Sequence, residues 1–189
     1  MIDIETLSTQ KNAVILTIGI AEFTLDDPEI EVANKKHFVI NPSTAQRAGL
    51  HLDAATIVWW MGQSDTARAS LSSKSSISLT NALHQLSEYI QAVRARNNKN
   101  RLNVWGNDPD FDMVILGEAY AAIGEQQPWQ FWETRSCRTM KELGDRILGF
   151  NEKIDLPRVG THHAADDDAV HQALVVKAIY EKLANNVKA

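Results

Sequence analysis

The sequence predicts an α/β fold with a mixed sheet, and three observations carry that reading. Three β-type segments near the amino terminus are joined by short links, for which an antiparallel meander is the economical arrangement. The rest of the chain alternates helical stripes with a further short strand. At 189 residues and 44% hydrophobic, the chain can bury one sizeable core, and its length favours a single domain over 1–189.

Residues 2 to 6 read as the first strand. The period of two puts Asp3 and Glu5 on one face and Ile4 in the core. Ala13 to Phe23 is rich in β-branched residues and too apolar to lie exposed, so it forms a buried second strand. Asp26-Asp27-Pro28 signals a turn, and Lys35 to Ile40 a third strand ended by Asn41-Pro42. Residues 43 to 63 take no clear assignment, although the cluster Ile57 to Met61 must pack on something. Leu71 to Ser76 reads as an internal loop. Leu79, Leu83, Leu86, Ile90 and Val93 form the stripe of an amphipathic helix. It ends in the basic run Arg94 to Arg101, where cations complement the helix dipole.

Leu102 to Trp105 is a short strand. Asp108 then reads as an N-cap and Pro109 as the first residue of a helix running through Asp112, Ile115 and Ala119 to near Gly124. Another helix starts near Arg138 and stops at Gly144 or Gly149. The last opens near Asp166 and continues through Ala169, Ala173, Val176, Tyr180 and Leu183.

Composition removes several classes of function. The longest apolar run, Ala13 to Ala21, contains Thr17 and Gly19 and is far short of the ~18 residues of a membrane span. Acids at the amino terminus stand where an export signal carries positive charge, so a cytoplasmic location without a membrane partner is expected. Cys137 is the only cysteine, which excludes an internal disulfide and every Cys-x-x-Cys site. A net charge of −5 argues against a histone-type binder of nucleic acid. It leaves room for an enzyme that holds a polyanion through metal ions, because acidic ligands count toward the negative total.

Three acidic clusters are candidates for chemistry. Asp3 and Glu5, held side by side, repel each other unless a cation sits between them, and paired oxygens suit Mg²⁺ or Mn²⁺. Thr161 to Asp168 places His162 and His163 before three aspartates at a helix start. The helix dipole accounts for the acids but not for the histidines, which exchange protons near neutral pH. In the third cluster Asp108 is read as a cap, leaving Asp112, beside the core-anchoring Phe111, with Asp110 as its competitor. Such sites, each at a strand or helix terminus, could converge on two cations ~3.5–4 Å apart, the clamp used in phosphodiester hydrolysis. No Gly-x-x-x-x-Gly-Lys-Ser/Thr loop, His-Glu-x-x-His helix or Gly-x-Ser-x-Gly elbow competes.

These residues resemble the motifs of the DEDDh 3′–5′ exonucleases, named for four acidic ligands and a histidine. Asp3-Ile4-Glu5 matches the first motif, and Asp112, with Asp108 and Asp110 as alternatives, matches the aspartate after a strand-to-helix turn. His163 and Asp168, followed by Ala169, match the third. His162 with Asp167 fits the same spacing, but another aspartate follows Asp167. Thr56 to Trp60 with Gln63 and Arg68, Arg135 to Thr139, and Asp168 to Ala173 look closer still to a branch of small phage and bacterial exonucleases, over essentially the whole chain.

The resemblance implies a ribonuclease H-like mixed five-stranded sheet, its first three strands antiparallel and the rest parallel, flanked by helices. It implies that Asp3, Glu5, Asp112 and Asp168 hold two Mg²⁺ or Mn²⁺ ions and that His163 is the general base. The enzyme would then release 5′ mononucleotides from the 3′ end of RNA or DNA. Thr6, Leu7, Trp59, Trp60, Arg135 and Arg138 are its substrate-binding candidates. The tryptophans could stack on bases, with burial of at least one expected. The arginines could meet phosphates or a second subunit, since the family often forms homodimers. Two rival readings are a non-catalytic nucleic-acid-binding module on the same fold, and a small-phosphoester metal hydrolase built on His162, His163 and the aspartate run. A strand bearing ligands should be flanked on both sides, yet only Met1 and Ile2 precede Asp3. Either neighbouring strands hold it or the natural chain begins earlier.

Overall fold

β-branched residues packed by small ones build a three-stranded antiparallel sheet: β1 (Ile2–Thr6), β2 (Ile15–Glu22) and β3 (Asn34–Val39), in that order. The structure is a computed structural model that describes the chain apart from residues 26–31, 33, 73, 98–101, 159 and 189. The Asp26-Asp27-Pro28 turn, Ser73 of the serine loop and the 98–101 part of the basic run therefore lie outside the described residues. The register pairs Asp3 with Gly19 and Glu5 with Thr17, then slips at a bulge so that Thr6 faces Ile15. A bulge bends a strand and re-aims its side chains, here directly after Glu5. β3 begins with exposed Asn34, Lys35 and Lys36, a charged edge that discourages pairing with another chain.

The helices begin where polar side chains satisfy orphan N–H groups. Asn41 caps α1 (Pro42–Arg47), so Asn41-Pro42 both ends β3's segment and starts a helix. Asp53 caps α2 (Ala54–Met61), Ser64 caps α3 (Asp65–Ser70) and Ser78 caps α4 (Leu79–Arg96). β4 (Val104–Gly106) leads to α5 (Asp112–Ala122), and β5 (Thr134–Ser136) leads to α6 (Cys137–Leu148), capped by Ser136. Asn151 caps α7 (Glu152–Asp155), and α8 (Ala165–Lys188) closes the chain.

Strand parity divides the core. Ile2, Ile4, Ile18 and Ile20 meet Leu83, Leu86 and Ile90 of α4 and Ile115 and Leu116 of α5. Met1 and Ala21 meet Cys137 of α6 and Ala169, Ala173 and Val176 of α8 on the other face. Asp3 and Glu5 therefore point toward α8. Gly19 makes this possible: a Cβ there would lie 2.0 Å from the Ala165 carbonyl carbon, so β2 and the first turn of α8 touch backbone to backbone.

Five expectations are corrected. The strands form two ladders rather than one five-stranded sheet, because β4 pairs in parallel with β5 and only packs beside β1. Among the described residues, β1 is accordingly hydrogen-bonded to a strand on one side only, not flanked on both. The helix after β4 starts at Asp112, not Pro109, and Asp108 is no N-cap; Asp108 to Phe111 form a turn whose Asp108 carbonyl accepts the Phe111 and Asp112 N–H groups. The cluster Ile57 to Met61 does not pack as a block, since only Trp60 is buried in α2 while Val58, Trp59 and Met61 are exposed. In α8, Ile179 takes the buried place expected of Tyr180, which is exposed.

Gly19→Ala drives a methyl group into backbone rather than into a flexible side chain. It is expected to destabilise the fold by about 3 kcal/mol, the upper range for overpacking, read as a lower urea midpoint.

Candidate active site

Asp3 and Glu5 lie on the α8-facing side of β1, each only 9% exposed. Asp3 Oδ1 accepts a 2.7 Å hydrogen bond from Gln172 Nε2, which lies one turn beyond Asp168 on α8. Asp112 is the first residue of α5. Its Oδ2 accepts the Asp108 N–H at 3.3 Å, and its carboxylate also accepts the N–H groups of Ile4 and Asn107. The Ile4 bond satisfies the side of β1 that lacks a neighbouring ladder. Gly106 leaves space for this, because a Cβ there would approach Asp112 Oδ2 to 3.0 Å.

Asp168 sits buried in the first turn of α8. Its Oδ2 accepts the His163 N–H at 2.9 Å, and its Oδ1 pairs with the Arg158 guanidinium. His163 has φ of 64°, a left-handed conformation uncommon outside glycine and often found at functional sites. Its ring stands edge-on to Trp59 at 5.1 Å and Trp60 at 5.9 Å, and Nδ1 is 3.7 Å from Glu5 Oε1. Ligand atoms of Glu5, His163 and Asp168 lie within 4.8 Å of one another, close enough to hold a cation.

Asp3, Glu5, Asp112, Asp168, His162 and His163 line one cavity of about 530 Å³. An adjoining groove of about 480 Å³ shares Ile4, Glu5, Phe111 and His163 with it and is walled by Thr6, Trp59 and Trp60.

Burial and crowding shift the acids upward. Burial, then the neighbouring Asp112 and Glu5 charges, hold the Asp3 carboxyl well above the usual range. Burial and Asp112 push Glu5 to about 8. Asp112 rises to about 7 through burial, despite the opposing hydrogen bonds from Asp108, Ile4 and Asn107. His163 moves the other way, lowered by burial and by the nearby His162 and Arg158. A set of carboxylate oxygens with one imidazole suits a hard divalent cation, and a cation among them would relieve their repulsion.

The structure separates the alternatives that spacing leaves open. Asp110 is exposed and outside the cavity, and Asp108 lines it while paired with Arg138 at 3.2 Å. Asp167 turns away, accepting the Thr161 N–H at 2.8 Å and pairing with Lys35 at 2.9 Å. Trp60 is buried, its indole N–H donating to the Thr6 carbonyl at 2.9 Å, whereas Trp59 is 46% exposed. The Thr6 hydroxyl donates to the Ser8 carbonyl, and Leu7 packs on the core. Arg138 lines the cavity. Arg135 does not; its guanidinium folds back onto the Trp132 and Thr134 carbonyls, so it is not brought to the site.

Gln172, Arg158 and the group Lys141, Glu152 and His171 also line the cavity; sequence reading places His171 and Gln172 only in the Asp168 to Ala173 stretch, without a site role, and does not mark Arg158, Lys141 or Glu152. Gln172 and His171 stand four and three residues after Asp168, a spacing that shares a helix face and could have flagged them. His171 at 2.7 Å and Lys141 at 2.9 Å hold the Glu152 carboxyl down to about 2. Arg158 stands in no periodic pattern that would mark it.

The chain carries the domain of a hydrolytic exonuclease, for a family model matches residues 1–180. It belongs to that family, the 3′–5′ exoribonuclease Rv2179c-like domains. Comparison with curated proteins finds no match. No helix among the described residues is long and apolar enough to cross a membrane.

Raised carboxyl pKa values make the folded, metal-free state bind more protons than the unfolded chain between the ordinary range and about 8. Stability in EDTA should therefore fall as pH rises from about 5 to about 8. Mn²⁺ should raise the melting temperature most at the upper end of that window. Melting curves that are flat with pH and indifferent to Mn²⁺ would mean that the acids do not act as one site.

Proposed function

We propose that residues 1–189 act as one metal-dependent exoribonuclease domain, cutting RNA from its 3′ end and releasing 5′ mononucleotides. The observation that carries this reading is the convergence of Asp3, Glu5, Asp112 and Asp168, from three separate parts of the chain, on one cavity beside His163. The family supplies the direction and the preference for RNA. A ribonuclease H-like arrangement is supported by β4 packing beside β1, its parallel pairing with β5, and helices on both faces of the sheet.

Asp3, Glu5, Asp112 and Asp168 would hold two Mg²⁺ or Mn²⁺ ions, which supply Lewis acidity and a more acidic bound water. His163 takes the proton from the attacking water. Its lowered pKa keeps the imidazole neutral at pH 7, the form that can accept one. The left-handed backbone and the T-shaped contacts with Trp59 and Trp60 hold its ring beside Glu5. The half-exposed face of Trp59 offers a stacking surface for a base in the adjoining groove, an interaction tolerant of sequence. That groove favours a polymer end over a small phosphoester, since a small ester needs no second compartment.

With Mn²⁺, the protein should shorten 5′-labelled RNA stepwise, and EDTA should stop it; DNA run in parallel reads the sugar preference. Asp3→Ala should lower kcat/KM about 1000-fold, or about 4 kcal/mol. Full activity in that variant on small phosphoesters, with no ladder from the wild type, would return the function to the rival hydrolase.

A further inference from the structure

Three cations line the cavity that gathers the carboxylates: Arg138, Lys141 and Arg158. Arg138 pairs with Asp108 at 3.2 Å and Lys141 with Glu152 at 2.9 Å, both acids outside the proposed ligand set. Among the described residues, Arg158 alone of the three pairs with a member of that set, Asp168. It reaches in from the segment between α7 and α8, and the Asp3, Glu152 and Asp167 charges also act on it.

We propose that Arg158 is the built-in counter-cation of the acid cluster, and that it exchanges Asp168 for a substrate phosphate when a divalent cation takes that carboxylate. The proposal rests on the exonuclease reading. A carboxylate oxygen bound to a guanidinium is not fully available to a metal ion, so the two cations compete for Asp168. Without metal, the pair offsets repulsion among buried acids. With metal, Arg158 loses its partner beside the reacting centre, and a half-buried guanidinium left unpaired is unfavourable. A phosphate restores the pairing, because the guanidinium fork matches two of its oxygens. Arg138 and Lys141 keep their acids in either state and cannot transmit this change. Metal loading and phosphate affinity are thereby coupled through one side chain, and such coupling is reciprocal.

The test compares wild type, Arg158→Met and Arg158→Lys, stripped with EDTA and titrated with Mn²⁺ by calorimetry, then with adenosine 5′-monophosphate or adenosine in saturating Mn²⁺. Arg158→Met should bind Mn²⁺ about tenfold more tightly and adenosine 5′-monophosphate about tenfold more weakly, with adenosine unchanged. Arg158→Lys keeps the charge without the fork. Its Mn²⁺ affinity should stay within about threefold of wild type while its nucleotide affinity still falls about threefold, which carries the test if the methionine variant does not fold. Unchanged or weaker Mn²⁺ binding by Arg158→Met overturns the counter-cation role, and unchanged nucleotide binding overturns the phosphate role. A wild type that binds no Mn²⁺ overturns the exonuclease reading and this proposal together.

Discussion

Burying like charges beside one another opposes folding, and the elements around the cavity differ in how they meet that opposition. Asp3 receives a neutral donor, Gln172, from the facing helix. Asp112 receives three backbone N–H groups, one from the strand that carries the other acids. Asp168 receives the His163 N–H and the Arg158 guanidinium. Glu5 has the approach of His163 Nδ1 at 3.7 Å, longer than a hydrogen bond, and its carboxyl is pushed to about 8. Burial raises the pKa of both Asp3 and Glu5, and of the two only Asp3 has a side-chain donor within hydrogen-bond distance among the described residues, while Glu5 stands next to the register slip in β1.

That geometry depends on rigid neighbours. Asp3 and Gly19 are register partners, and Gly19 lets the first turn of α8 rest on β2, which carries Asp168 toward Asp3. Asp168 in turn holds the His163 backbone. The histidine and the acid are thus fixed to one helix start, although His163 lies outside the helix itself. Trp60 ties α2 to the Thr6 carbonyl just past the bulge, so the groove wall is hydrogen-bonded directly to the strand that carries Asp3 and Glu5.

Much of this was legible where one periodicity dominates. The parity of Asp3, Ile4 and Glu5, the α4 stripe and the antiparallel meander follow from spacing alone. Reading failed where a tertiary partner outbid a local signal. Asp108-Pro109 has the chemistry of a helix start, but the Asp112 carboxylate binds the N–H groups of Asp108, Asn107 and Ile4, and the turn closes four residues later. Residues 54–61 defied assignment because α2 is apolar on faces that remain exposed, so no stripe stands out. Asp166 to Asp168 could not be ranked by dipole arguments. Their separation comes from β3, where Lys35 binds Asp166 and Asp167 and leaves Asp168 to the cavity.

Charge sets the last constraint. A chain of net charge −5 gains little from long-range attraction to a polyanion, and the cavity itself is rich in acids. Two of its cations are committed to Asp108 and Glu152, and Glu152, held down to about 2, remains ionised at every pH where the fold is useful. On the proposed reading, affinity for a nucleic-acid end must then come from short-range contacts. Stacking on Trp59 would act in the groove, and bound divalent cations would reverse the sign of the cavity's field. The acids that make the metal-free cavity hostile to phosphate are the same groups that would make the loaded cavity receptive to it. On that reading, metal occupancy rather than surface charge would govern the cavity's affinity for phosphate.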